Sequence, residues 1–278
     1  YSNRPAALIQ PLLDAFAKDT GIAPNLLYLD QGLVERIQSE GEYSPADVIL
    51  TVDDSRLTQA KQGGVTQALV DSVLNDEIPA RYRDPEGHWF GLTVRPRVFY
   101  ASRERVTATS ITYEMLAEPA WKGKICIRDG RHATNIGLFA SMLDLHGEAY
   151  TEKWLTGLKT NLARKPKGSD RSQAEAVAAG KCDLAIGNAE YIAAIVADTA
   201  RKDIADKMME FLAARSAQEL LSRQTNEYPV LPDARPSDIL TGFGPLKAED
   251  LPMDEINRLR EQALDLVDKI QFNDGPSE

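Results

Sequence analysis

An alternation of short apolar runs with amphipathic helical stretches, carried through twice and interrupted once, constrains this chain more than any other feature. In the first run, Leu8, Leu12, Ala15 and Phe16 recur on one face of a helix, and Gly21 is placed to close it. Residues 24–29 read as a strand and residues 32–39 as a helix. Residues 47–52 (DVILTV) form a short apolar run that fits a buried parallel strand. Asp53, Asp54 or Ser55 supplies the cap of the helix after it. Residues 89–101 (WFGLTVRPRVFYA) read as extended chain broken at Pro96. The alternation then starts afresh. Residues 124–128 predict a strand, 135–146 and 150–158 helices, 183–186 a strand and 188–196 a helix. Another helix begins at Asp170, with Gln173 as its capping-box partner. The last long helix carries Ile256, Leu259, Ala263, Leu266, Val267 and Ile270 on one face.

Strand–helix alternation builds a sheet flanked by helices. Two such runs joined by extended chain predict two α/β lobes with a cleft between them. The 278 residues suffice for two domains of about 100–150 residues. No apolar run approaches the ~18–20 residues of a membrane span. The formal charge of −10 argues against a nucleic-acid backbone as partner. His88, His132, His146, Cys126 and Cys182 lack the close pairing of a Cys/His zinc site. Two cysteines allow one disulfide, and their spacing leaves open whether it forms.

Ligands of open α/β sheets gather beyond strand ends, against helix N-termini. Four places there carry chemistry. Asp129-Gly130-Arg131-His132 leads from a strand into a helix and offers backbone N–H groups and the Arg131 charge to an anion; a plain strand-to-helix turn is the competing reading. Gly168-Ser169-Asp170 has the same shape, with an ordinary cap as competitor. Arg95 and Arg97 alternate with Val94, Pro96 and Val98 and so point to one strand face, toward either a bound anion or a structural carboxylate. Glu190 and Tyr191 follow Gly187-Asn188 at a strand end and offer two oxygen donors to a hard cation; buried packing of Tyr191 competes. No nucleophile elbow and no Gly-rich nucleotide fingerprint occurs.

Residues 41–57, 89–106, 113–143, 154–188 and 226–232 (NEYPVLP) resemble the bacterial periplasmic ferric-iron-binding proteins, the solute-receptor subunits of ABC-type iron importers. The resemblance runs nearly end to end. It implies a type II two-lobed periplasmic binding protein, each lobe a mixed sheet flanked by helices, with a hinge between lobes. Residues 1–99 with about 196–232 would make the N-terminal lobe, and 100–195 with about 233–278 the C-terminal lobe. It further implies a periplasmic monomer freed of a signal peptide, no catalysis, and delivery of ligand to an inner-membrane ABC permease. A periplasmic home would permit a Cys126–Cys182 disulfide.

In that family, tyrosine phenolates hold ferric iron, often with a synergistic anion such as carbonate. Fe(III) is hard and favours anionic oxygen, and it ionises a phenol whose free pKa is ~10. The resemblance makes Tyr191 and Glu190 the metal ligands here. It places Arg97 beside the anion, with Gly130, Arg131 and Ser169 on the same side. Other family ligand positions are substituted: Asn3 and Pro5 near the start, Thr134 at the helix entry, and Glu190 where a first tyrosine usually stands. One phenolate and one carboxylate leave room for water or a chelator such as citrate. They also leave open a small organic anion or phosphate ester as ligand, or a variant impaired in binding. The family usually has several tens more residues between the Tyr191 helix and residues 197–212. An internal deletion after about residue 195 would leave the crossing between lobes incomplete.

Overall fold

The computed structural model describes residues 1–69, 72–108, 110–188, 193–196, 202–243, 245–246 and 253–276. The chain forms two compact units. The first comprises Tyr1–Arg95 and Ala189–Asp250, the second Pro96–Asn188 and Leu251–Glu278. The sequence expectation had assigned residues 189–195 and 233–250 to the second unit and 96–99 to the first. The backbone divides instead at Pro96, where the extended segment is interrupted, and directly after Asn188.

The chain enters the first unit with α1 (Ala6–Thr20), α2 (Leu33–Glu40), β1 (Val48–Thr51), α3 (Asp54–Gln62), α4 (Ser72–Glu77), β2 (Phe90–Gly91) and β3 (Thr93–Val94). It builds most of the second with β4 (Arg97–Ala101), β5 (Ile125–Cys126), α5 (Ala133–His146), α6 (Glu148–Thr160), α7 (Asp170–Ala178) and β6 (Leu184–Asn188). It returns to the first with β7 (Ala193–Val196), α8 (Lys202–Ala213), α9 (Arg215–Thr225), β8 (Tyr228–Pro229) and α10 (Asp238–Phe243). It ends in the second with α11 (Met253–Arg258) and α12 (Arg260–Lys269).

In the first unit, α1 buries Ile9, Leu12, Leu13 and Phe16, a face shifted slightly from the expected one. Gly21 closes the helix in the left-handed conformation (φ 74°), its N–H bonded to Ala17 O. The α1 face packs with Leu50, Leu74, Phe90, Leu92, Met209, Leu212 and Leu221 into one core. Residues 24–29 do not form a ladder; Tyr28 makes a single parallel bridge to Ser2. The central sheet has the order β1-β7-β2, and both pairings are antiparallel. The expected parallel strand at residues 47–52 is therefore antiparallel to its ladder partner. Residues 193–196 are likewise a strand, not the end of a helix. This segment (AAIV) ends in two β-branched residues that suit an interior strand. It is also the strand returning to the first unit, whose crossing the sequence expectation held to be incomplete.

In the second unit, β6 pairs antiparallel with β4 and parallel with β5. The core gathers Leu116, Ile125, Phe139, Trp154, Leu158, Leu184, Ile186, Leu266 and Phe272. Glycine at residue 187 leaves room for the Tyr100 ring, since a Cβ there would stand 2.1 Å from it. Cys126 and Cys182 form a disulfide spanning 56 positions. The expected last long helix is divided at Leu259, where Arg260 bonds back to Asn257 and donates to Ala133 O of α5 at 2.9 Å. Among the described residues no helix is long and apolar enough to cross a membrane.

Candidate functional site

The start of the chain is built around two charged side chains that the sequence reading did not single out. Ser2 bridges Tyr28 and Leu50, which places Asn3 and Arg4 inside the first unit. Arg4 forms an ion pair with Glu227, and both are buried. Thr93 Oγ1 donates to the second carboxylate oxygen of Glu227 at 2.5 Å. Burial pushes the Glu227 carboxyl above its ordinary range, and the Arg4 charge opposes that shift. Part of the signal was present: Glu227 lies in the NEYPVLP stretch that carried the family resemblance, and Arg4 directly follows the substituted position Asn3.

The two substituted positions beside Arg4 differ. Asn3 is buried, and its side-chain oxygen meets no hydrogen-bond donor among the described residues. It lines a cavity of about 240 Å³ with Asp30, Gln31, Thr51, Arg56 and Gln59. Pro5 is exposed and precedes α1, and its side chain carries no donor atom for a metal.

Arg95 and Arg97 do not share a strand face. Pro96 cannot extend a ladder, and the two arginines fall in different units. Arg95 donates to Val52 O within the first unit. Arg97 opens β4 in the second, opposite Asn188 at the end of β6. Its Nη1 donates to Asn188 Oδ1 at 2.6 Å and to Asp170 Oδ2 at 3.2 Å, and its Nη2 donates to Asn135 Oδ1. Asn135 is held in turn, its amide donating to the carbonyls of Arg128 and Asp129. Desolvation pulls the Arg97 pKa down, and the Asp170 carboxylate pulls it back up.

The expected anion loops are spent on structure. Gly130 N donates to Asn273 Oδ1 at 2.7 Å, and the Phe272 ring lies where a Cβ of residue 130 would stand. Its glycine thus answers to packing. Arg131 is exposed and pairs with Asp268 at 3.2 Å. The helix that follows is capped by His132, whose Nδ1 lies 2.9 Å from Thr134 Oγ1. Ser169, not Asp170, caps α7, and Ser172 rather than Gln173 completes the capping box. Gln173 donates instead to the carbonyls of Lys167 and Ser169.

Glu190 and Tyr191, the proposed metal ligands, lie outside the described residues. Among the described residues no three His, Cys, Asp or Glu side chains gather as a metal site.

Two mixed α/β units between which the chain passes three times, with polar side chains gathered at strand ends, define a solute receptor of the two-lobed periplasmic class. The chain belongs to the bacterial extracellular solute-binding proteins, whose family model matches residues 44–190. It is 34% identical over 309 aligned positions to iron uptake protein A2 of Synechocystis sp., covering 97% of this chain and 88% of that protein. Its fold is similar to Mannheimia haemolytica ferric iron-binding protein A in an open conformation, with TM-score 0.95, 38% identity and 98% of each chain covered. It is also similar to the Trichodesmium protein IdiA (FutA) in complex with iron and citrate, with TM-score 0.92, 34% identity and 98% of each chain covered.

Proposed function

We propose that this chain is a periplasmic receptor that captures ferric iron and delivers it, chemically unchanged, to an inner-membrane ABC permease. The observation that carries this reading is the end-to-end similarity to iron uptake and ferric iron-binding proteins. Tyr191 contributes the phenolate and Glu190 a carboxylate, both hard anionic donors suited to Fe(III). Two such groups leave coordination positions open. Water or a hydroxycarboxylate chelator fills them, and citrate accompanies iron in the Trichodesmium relative. The Cys126–Cys182 bond agrees with an oxidising compartment. The chain acts as a monomer and turns nothing over. A receptor for a free organic anion or phosphate ester is the weaker reading, because it needs Arg97 open and the side chain of Asp170 already occupies it.

The test is a titration of iron-stripped protein with ferric citrate, followed by visible absorption. The expected result is a phenolate-to-iron charge-transfer band that Tyr191→Phe removes. A folded protein that shows no band overturns the iron reading. A band that survives in Tyr191→Phe overturns the ligand assignment.

A further inference from the structure

We infer that Asp170 is a built-in counter-anion: its carboxylate occupies the seat at Arg97 that an exogenous anion would take, so the second unit binds no added anion there. The family resemblance placed Arg97 beside a synergistic anion, and the residues present do not fit one. The Arg97 and Asp170 side chains are only 9% and 16% exposed and meet at 3.2 Å. Arg128 approaches the other carboxylate oxygen at 3.5 Å. The backbone N–H of Asn188 donates to Asp170 Oδ2, also at 3.2 Å. Asp170 is in addition the first residue of α7, where the helix dipole favours negative charge. Two guanidinium groups, one backbone amide and a helix N-terminus thus converge on a single carboxylate. That is the set of donors a bound carbonate or phosphate would need.

Arg97 Nη1 also donates to Asn188 and Nη2 to Asn135, while its buried Nε meets no acceptor among the described residues. A second anion would therefore have to share Arg97 and Arg128 with Asp170, like charge against like charge at a few ångströms. Because Asp170 is covalently part of the chain, its charge arrives without the entropy loss of capturing an ion from solution.

The test uses iron-free protein with bicarbonate and inorganic phosphate as probes, read by calorimetry and by melting temperature. The wild type is expected to show no heat of binding and no melting shift with either anion. In Asp170→Asn, and in Asp170→Ser as a second variant, both anions are expected to bind roughly tenfold or more tighter, because two arginines are left without their carboxylate. Wild-type binding of either anion that Arg97→Gln abolishes overturns the inference, and that arm needs no folded Asp170 variant. Folded Asp170 variants that gain nothing overturn it too. The inference touches the ferric-iron reading only in a second arm. If the wild type forms its iron band, the band should reach full height in bicarbonate-free, phosphate-free buffer, while a band that grows with bicarbonate counts against Asp170. Absence of any band bears on the iron reading alone, since the anion arm is measured without iron.

Discussion

Arg4 and Glu227 form an ion pair in which the side chains are 1% and 0% exposed, joining residues 223 positions apart within the first unit. Removing one partner strands the other charge where water cannot reach it. Arg4→Met is therefore expected to cost about 3–5 kcal/mol.

The same variant should change how stability depends on pH. Burial already raises the Glu227 carboxyl above its unfolded value of 4.5, and Arg4 is the main charge holding it down. Without Arg4 the folded protein keeps that proton to higher pH than the unfolded chain does. Between the unfolded and the new folded pKa the native state binds more protons, so stability falls as pH rises, by up to about 1.4 kcal/mol per pH unit. Urea unfolding at pH 5 and pH 8 should show the variant penalised more at pH 8. An equal penalty at both would mean that Glu227 is not the titrating group.

Reduction of Cys126–Cys182 releases a loop closed over 56 positions. Chain entropy for a loop of this length places the loss at about 4 kcal/mol. Denaturation midpoints with and without a phosphine reductant would measure it. A midpoint that does not move would show that β5, β6 and α7 hold this region without the bond.

Gly187 and Tyr100 test the close packing of β4 on β6. A methyl group at residue 187 would overlap the Tyr100 ring, so Gly187→Ala should cost about 1–3 kcal/mol. The double variant with Tyr100→Ala should recover part of that cost, since residues in contact couple. Strictly additive losses would show that the cost of the methyl group does not come from the Tyr100 ring, and a near-zero cost for Gly187→Ala alone would show that the ring moves aside.

Restoring phenolates should strengthen iron capture. Glu190→Tyr together with Thr134→Tyr is expected to tighten ferric binding by roughly tenfold or more, about 1.4 kcal/mol. Competition with a chelator of known strength measures it. No gain in a folded variant would mean that residue 134 does not face the metal.

The periodicity of the chain carried most elements to within a few residues. Helices show themselves through 3.6-residue spacing and caps, as α1, α2 and α5 did, and Asp53 does cap α3, accepting from Arg56 N. Pairing partners are another matter. Nothing local in DVILTV reveals that its ladder partner is antiparallel and lies some 145 positions downstream, as Val48 opposite Val196 does. The helix expected to run to residue 196 gives way to a strand at residues 193–196 for the same reason, because a four-residue strand between two others borrows its conformation from its neighbours. At the site, residue type alone could not separate a glycine needed by an anion from one needed by an aromatic ring. Gly130 and Phe272 lie 142 positions apart, and only the fold brings them together. Nor could spacing show that the carboxylate facing Arg97 would come from the start of α7.

The placement of β7 between β1 and β2 bears on the order in which the protein can be assembled as it leaves the ribosome. The two outer strands of that sheet are complete by residue 91, but they touch only through residues 193–196. More than a hundred residues must be synthesised before the middle strand exists. Until then the nascent first unit carries two unpaired edges and an unfinished core, a state that invites aggregation and suits chaperone binding. The second unit has β4, β5 and β6 in hand by residue 188 and gains α11 and α12 only at the end. Synthesis therefore completes the sheets in the reverse of their order in the sequence, the three-stranded sheet of the second unit before that of the first.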